Sequence, residues 1–169
     1  YNFEKIKDNP TIYIKTPKSS KLLPSFVKEN DISILMEEPL NNLITSKDDA
    51  YRDIAILETL YATGLRLSEL LSLNICDVDK NTEMVKVMGK GGKERIVPIG
   101  RIALNSINKY LENTGRSLRI DFDDPLFTNK KGIRLPKRTL QRRVKRYLLT
   151  TMGGGSVYTL RHTFATHLI

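Results

Sequence analysis

The chain has 169 residues, 40% hydrophobic and 28% charged, with a net charge of +9, a single cysteine and two histidines. That is chain enough for one substantial core but not for two large domains, and the composition is that of a soluble globular protein. It excludes a disulfide scaffold and a thiolate cluster, disfavours a zinc site, offers no apolar run of bilayer length and no signal-peptide start, and calls for an anionic partner.

The first residue is not methionine, so the chain reads as a piece of a longer protein, and the lone Cys76 fits a reducing, cytoplasmic setting. Charge is unevenly spread. Acids outnumber bases between residues 29 and 58, whereas residues 127–147 hold nine Lys or Arg and no acid. One face should therefore be strongly basic, as a nucleic-acid footprint is. A well-solvated face and a membrane surface are the weaker readings.

In chain order, residues 1–6 read as the end of a preceding helix. Residues 7–24, with Pro10, Pro17 and Pro24 among lysines and serines, read as an extended basic linker. A short helix is expected over residues 29–37, stopped by Pro39, and a longer one over 47–63. In the longer helix Ser46 can cap the start, Asp48 and Asp49 favour the first turn, and Gly64 closes the end. Ile54, Leu57, Leu60 and Tyr61 recur at helical steps along it. "RLSELLSL" resumes as helix, with Leu67, Leu70 and Leu71 as core. "MVKVM" (84–88) and "ERIVPI" (94–99) flank Gly-Lys-Gly-Gly-Lys and predict a β-hairpin, with Pro98 at a strand end or edge. A helix follows over residues 101–112, and residues 114–134 are irregular. Pro136 opens another helix, with Leu140, Val144, Tyr147 and Leu148 on its apolar side. Gly153, Gly154 and Gly155 break that helix, and Ser156 caps a last one, "VYTLRHTFATHLI". The fold class is α+β, mostly helical with a small antiparallel sheet.

Three stretches can carry chemistry. The glycine loop lacks the Ser or Thr that a Walker lysine needs, and it joins strand to strand, which rules out nucleotide binding. It remains either a solvated turn or a device for delivering a lysine. Arg66 is followed three residues later by Glu69, either a surface ion pair or a carboxylate that holds a working guanidinium. Tyr158 and Arg161 fall in the first turns of the last helix, where backbone N–H groups favour phosphate. His162 and His167 are five apart, not the i, i+4 spacing of a helical metal pair, and read as structural.

"TGLRLSELLSL", "GKGGKERIVPIG" and "LRHTFATHL", in that order, resemble the catalytic domain of the tyrosine recombinases, the phage-integrase and Xer-type family. The resemblance runs from about residue 23 to 169, and "IKTPKSSKLLPSF" resembles the family's interdomain linker. It implies a division into residues 1–24, the end of a core-binding domain plus linker, and residues 25–169, a catalytic domain truncated at its C-terminus. It implies metal-free and cofactor-free cleavage and rejoining of double-stranded DNA through a 3′-phosphotyrosine intermediate. Arg66 and Arg161 match the two catalytic arginines, Lys90 the hairpin lysine, and Glu69 the acid that supports Arg66. Tyr158 stands where the family usually has histidine. Lys93 and Arg95, together with Arg138, Arg142 and Lys145 on the basic helix, are expected to bind DNA.

The family's nucleophilic tyrosine and its later His or Trp position match no residue here. The chain as given is expected to bind DNA without cutting it, and to be monomeric where the longer protein works as a homo-tetramer on DNA, associated with the nucleoid. A catalytically silent DNA-binding relative and a type IB topoisomerase-like enzyme are the alternatives. An RNA-binding domain is disfavoured by the low aromatic content of 7%.

Overall fold

A computed structural model describes residues 26–42, 45–89, 91–118 and 123–167. The expected linker, residues 1–24, and Lys90 lie outside the described residues. Among those described, the helices are α1 (Glu29–Asn41), α2 (Lys47–Thr63), α3 (Leu67–Ser72), α4 (Gly100–Asn113), α5 (Lys137–Met152) and α6 (Val157–His167). The strands are β1 (Val78–Asp79), β2 (Met84–Met88) and β3 (Glu94–Pro98), in one antiparallel sheet of order β1-β2-β3. The architecture is the mostly helical α+β expected.

The central element is α2, which packs against α1, α4 and α6. Its buried set, Ala55, Ile56, Leu57 and Leu60 with Thr59 and Thr63, extends around more of the helix than a single stripe. Ile54 and Tyr61, expected on its apolar side, are only half-buried. Ser46 stands at the N-cap, but its hydroxyl makes no capping bond. The other end follows the rule: Gly64 takes the left-handed conformation (φ 59°) and donates its N–H to the Leu60 carbonyl. Pro39 does not stop α1; the helix runs to Asn41 with the proline ring buried. Proline removes one N–H from the ladder, and burial of its apolar ring offsets that loss.

In the sheet, Val85 and Val87 point inward while Met84, Lys86 and Met88 face outward, the period-2 alternation of a half-buried strand. Val85 pairs with Val97 and Val87 with Arg95, and beyond the last pair the Gly89 N–H donates to the Lys93 carbonyl. Gly91 and Gly92 both have positive φ in that turn. β1 pairs with β2 over two residues, a strand too short to leave a sequence pattern.

A buried ionic cluster joins α2 to α5. The Asp53 carboxylate is 1% exposed and accepts from Arg52 (Nη2, 2.9 Å), Arg143 (Nη1, 2.7 Å) and the Tyr147 hydroxyl (2.6 Å). Burial, and then the Asp53 charge, push the Tyr147 phenol up to about 12. Asp49 is ion-paired to Arg52 and Arg143. Burial alone would raise its pKa, but the two guanidiniums outweigh burial and hold it below the usual carboxylate range. Arg52 also donates to the Thr128 carbonyl (3.2 Å), fastening the irregular 123–135 segment to α2. At the other end of that segment, Arg134 donates to the Leu71 and Leu73 carbonyls (2.7 and 2.9 Å), groups at the C-terminus of α3 that have no helical donor. This segment sets where α5 begins.

Candidate active site

Gly64 turns the chain out of α2, and Arg66 becomes the N-cap of α3, with extended backbone (φ −70°, ψ 149°). Its N–H donates to Glu69 Oε2 (2.9 Å) and its Nη1 to Glu69 Oε1 (3.1 Å). The Arg66 side chain remains 61% exposed, while Glu69 is 5% exposed. The carboxylate therefore holds the root and one edge of the guanidinium and leaves the rest facing outward.

Glu69 has a second partner that the sequence did not reveal. Arg95 on β3 donates Nη1 to Oε1 (3.1 Å) and Nη2 to Oε2 (2.8 Å). Burial works to raise the Glu69 pKa, but the bonds from Arg95 and Arg66 prevail and lower it to about 2. The carboxylate is thus a fixed anion between two arginines. Arg95, expected to touch DNA, has both terminal nitrogens on Glu69.

α6 begins as anticipated. Ser156 Oγ accepts from the Tyr158 N–H (3.3 Å), and the Thr159 hydroxyl accepts from the Ser156 N–H (3.0 Å). This cap aims the first turn of α6 at Arg66. Between them lies a cleft of about 260 Å³. Residues 65–68, the start of α6 and one face of α5 line it.

Arg66, Tyr158, Arg161 and Lys145 all border this cleft, so four residues singled out in the sequence converge. Lys137 and Gln141 border it too, without having been singled out. Their spacing to Lys145, i, i+4, i+8, is one stripe of a helix, and that signal was available in the sequence. Among the described residues lining the cleft there are four cationic side chains and no acid. Arg161 Nη1 is buried and has no hydrogen-bond partner among the described residues. A buried donor of this kind needs an acceptor, and an oxyanion in the cleft would be one. Tyr158 is 71% exposed, leaving its hydroxyl free to reach a ligand.

Arg66 also borders a second hollow, of about 340 Å³, lined by Ser68, Glu69, Met88 and Gly89. Gly89 is the residue before Lys90, so the base of the lysine loop lies beside Arg66. Lys93 is exposed in the same turn. Arg138 and Arg142 are exposed on α5 but do not line the cleft. Arg143, on the same basic helix, is taken up by Asp49 and Asp53. His167 Nδ1 lies 3.1 Å from the Tyr61 hydroxyl, a bond between α6 and α2 that accords with a structural histidine. No group of His, Cys, Asp and Glu capable of holding a metal occurs among the described residues, and no described helix is long and apolar enough to cross a membrane.

The family profile described as "Phage integrase family" matches residues 25–169. The chain is 39% identical over 175 residues to the tyrosine recombinase XerC of Natranaerobius thermophilus, covering 98% of this chain and 56% of that protein. The chain spans about half the length of the curated relatives it matches. Among solved structures it resembles the XerA recombinase (TM-score 0.70, 28% identity, 87% of this chain and 51% of that one). It also resembles the XerH site-specific recombinase bound to its difH substrate in a pre-cleavage complex (TM-score 0.71, 25% identity, 89% of this chain and 44% of that one).

Proposed function

The chain belongs to the phage integrase family, and on that premise we propose that it is the catalytic domain of a site-specific DNA recombinase. Residues 25–169 form the catalytic unit, and residues 1–24 are the linker from a core-binding domain. The protein cleaves and rejoins duplex DNA without metal or cofactor and works as a homo-tetramer on two duplexes. The observation that carries this reading is the convergence of Arg66 and Arg161 on one acid-free cationic cleft.

The chemistry follows from the residue types. Attack of a tyrosine oxygen on the scissile phosphate, its phenolic proton passing to solvent, forms an O–P bond and breaks the bond to the 5′ oxygen. Negative charge gathers on the two non-bridging oxygens in the transition state. Arg66 and Arg161 supply planar, permanently charged donors for those oxygens, each lowering the barrier by about 3 kcal/mol. Glu69 holds Arg66 in place before substrate arrives, so little reorganisation is needed at the moment of reaction. Lys90, on the loop that starts beside Arg66, gives a proton to the leaving 5′ oxygen, a role worth roughly 10²–10⁴ in rate. Tyr158 hydrogen-bonds a phosphate oxygen. Lys93, Arg138, Arg142 and Lys145 bind flanking phosphates, contacts that orient the duplex without reading its sequence.

The attacking tyrosine is assigned to none of those described. Tyr110 and Tyr147 are buried, Tyr51 and Tyr61 are half-buried on α2, and Tyr158 has the supporting role. The test is to trap a covalent protein–DNA complex with the full-length protein on a nicked recombination site. Arg66→Ala and Arg161→Ala abolish trapping on this reading; undiminished trapping by both variants overturns it.

A further inference from the structure

We infer that Arg95 is a positioning residue that fixes the lysine hairpin against Arg66 by way of Glu69. The inference rests on the recombinase reading above and adds a residue to it. Glu69 Oε1 accepts from Arg66 Nη1 and Arg95 Nη1, both at 3.1 Å, and Oε2 accepts from the Arg66 N–H at 2.9 Å and Arg95 Nη2 at 2.8 Å. Half of the bonds on a carboxylate that is 5% exposed thus come from β3. The same guanidinium reaches the lysine loop: a Cβ placed on Gly89 would lie 3.2 Å from Arg95 Nη1. Gly89 in turn donates its N–H to the Lys93 carbonyl (2.8 Å), closing the base of the loop that carries Lys90. One planar side chain therefore spans from the carboxylate that orients Arg66 to the residue preceding Lys90.

The fork geometry is what the role requires. Two parallel N–H···O bonds fix angle as well as distance, which a lysine ammonium cannot do. Losing Arg95 leaves Glu69 still bonded to Arg66, so phosphate binding in the cleft persists, while the hairpin loses this tie to α3. The defect should fall on proton delivery to the leaving oxygen and not on DNA affinity.

The test uses the full-length protein and two suicide substrates, one with the natural 5′-oxygen leaving group and one with a 5′-bridging sulfur, whose thiolate leaves without a proton. Arg95→Lys and Arg95→Met, with Lys90→Ala as reference, are compared by cleavage rate, DNA affinity against salt, and thermal melting. On this inference both Arg95 variants bind DNA with wild-type salt dependence and lose roughly 10²-fold in cleavage of the oxygen substrate, the low end of a general-acid loss. The sulfur substrate restores most of that rate, as it does for Lys90→Ala. Rescue of Lys90→Ala without rescue of the Arg95 variants overturns the inference and leaves the recombinase reading standing. A salt slope reduced by about one phosphate contact also overturns it, making Arg95 a DNA ligand. Arg95→Lys keeps the charge and serves where Arg95→Met melts too low. An unimpaired Lys90→Ala removes the reading itself, and the inference with it.

Discussion

Phe164 closes over Gly64: a Cβ built on the glycine would lie 2.4 Å from the ring's Cδ1. Gly64 ends α2 two residues before Arg66, and Phe164 stands one turn beyond Arg161 on α6. Their contact is one of the points at which α6 packs on α2 beside the turn that carries Arg66. Gly64 is therefore doubly required, for its φ of 59° and for the close approach of the ring.

Replacing Gly64 by alanine imposes both a left-handed backbone on an L-residue, about 1–2 kcal/mol, and displacement of α6. We expect Gly64→Ala to destabilise by more than 2 kcal/mol in total (about 1–3 from overpacking) and to weaken phosphate binding in the cleft. Trimming the ring in a Gly64→Ala/Phe164→Ala double variant removes the clash but not the backbone strain. A double-mutant cycle by urea unfolding should show a favourable coupling between the two sites. Strict additivity would mean that the ring moves aside at no cost.

Glu69 gives a signed pH dependence. Its folded pKa is lowered to about 2, below its ordinary unfolded value near 4.5. A depressed carboxylate contributes stability that is fully present above the unfolded value and lost as pH falls toward the folded one. Wild-type protein should therefore lose part of its stability between about pH 4.5 and 2, and Glu69→Gln should show a flatter acid limb than wild type. Acid unfolding followed by circular dichroism measures both. Parallel acid limbs would show that the carboxylate's bonds to Arg66 and Arg95 do not hold in solution.

The Asp53 cluster predicts the largest loss of stability outside the hydrophobic core. Asp53→Ala leaves Arg52, which is 4% exposed, and Arg143 with Asp49 as their remaining carboxylate, and takes the acceptor from the buried Tyr147 hydroxyl. Breaking a buried ion pair from one side typically costs about 3–5 kcal/mol, read as a shift in the urea midpoint. Breaking an exposed pair such as Arg101–Glu83 should leave the urea midpoint almost unchanged.

The cleft stripe on α5 predicts a salt signature. Lys137 and Lys145 border the same cleft as the arginines. Each phosphate contact contributes roughly 0.9 to the slope of log K against log salt. Lys137→Gln and Lys145→Gln should each reduce that slope by about one contact, and the double variant by about two, with no change in sequence preference. An unchanged slope would place the duplex elsewhere.

Much of this arrangement was legible in the sequence, for local reasons. The bounds of α2 follow from its acidic first turn and Gly64, and the hairpin from two β-branched runs around glycines. The buried set of α5, Leu140, Val144, Tyr147 and Leu148, follows from helical spacing. What stayed hidden was tertiary. Arg95 and Glu69 are 26 positions apart, and nothing local indicates that β3 lays its arginine over the start of α3. Arg143 looked like its basic neighbours until α2 placed Asp49 and Asp53 opposite it. The run of α1 through Pro39 depends on burial of the proline ring, which no propensity encodes.

The central claim is that Arg66 and Arg161 act on one phosphodiester. A structure of the protein bound to a duplex containing its recombination site tests it most directly. The account predicts that both guanidiniums donate to the non-bridging oxygens of a single phosphate, with Arg161 Nη1 finding its acceptor there. Arginines bound to two different phosphates, or a cleft with no DNA in it, would contradict the account.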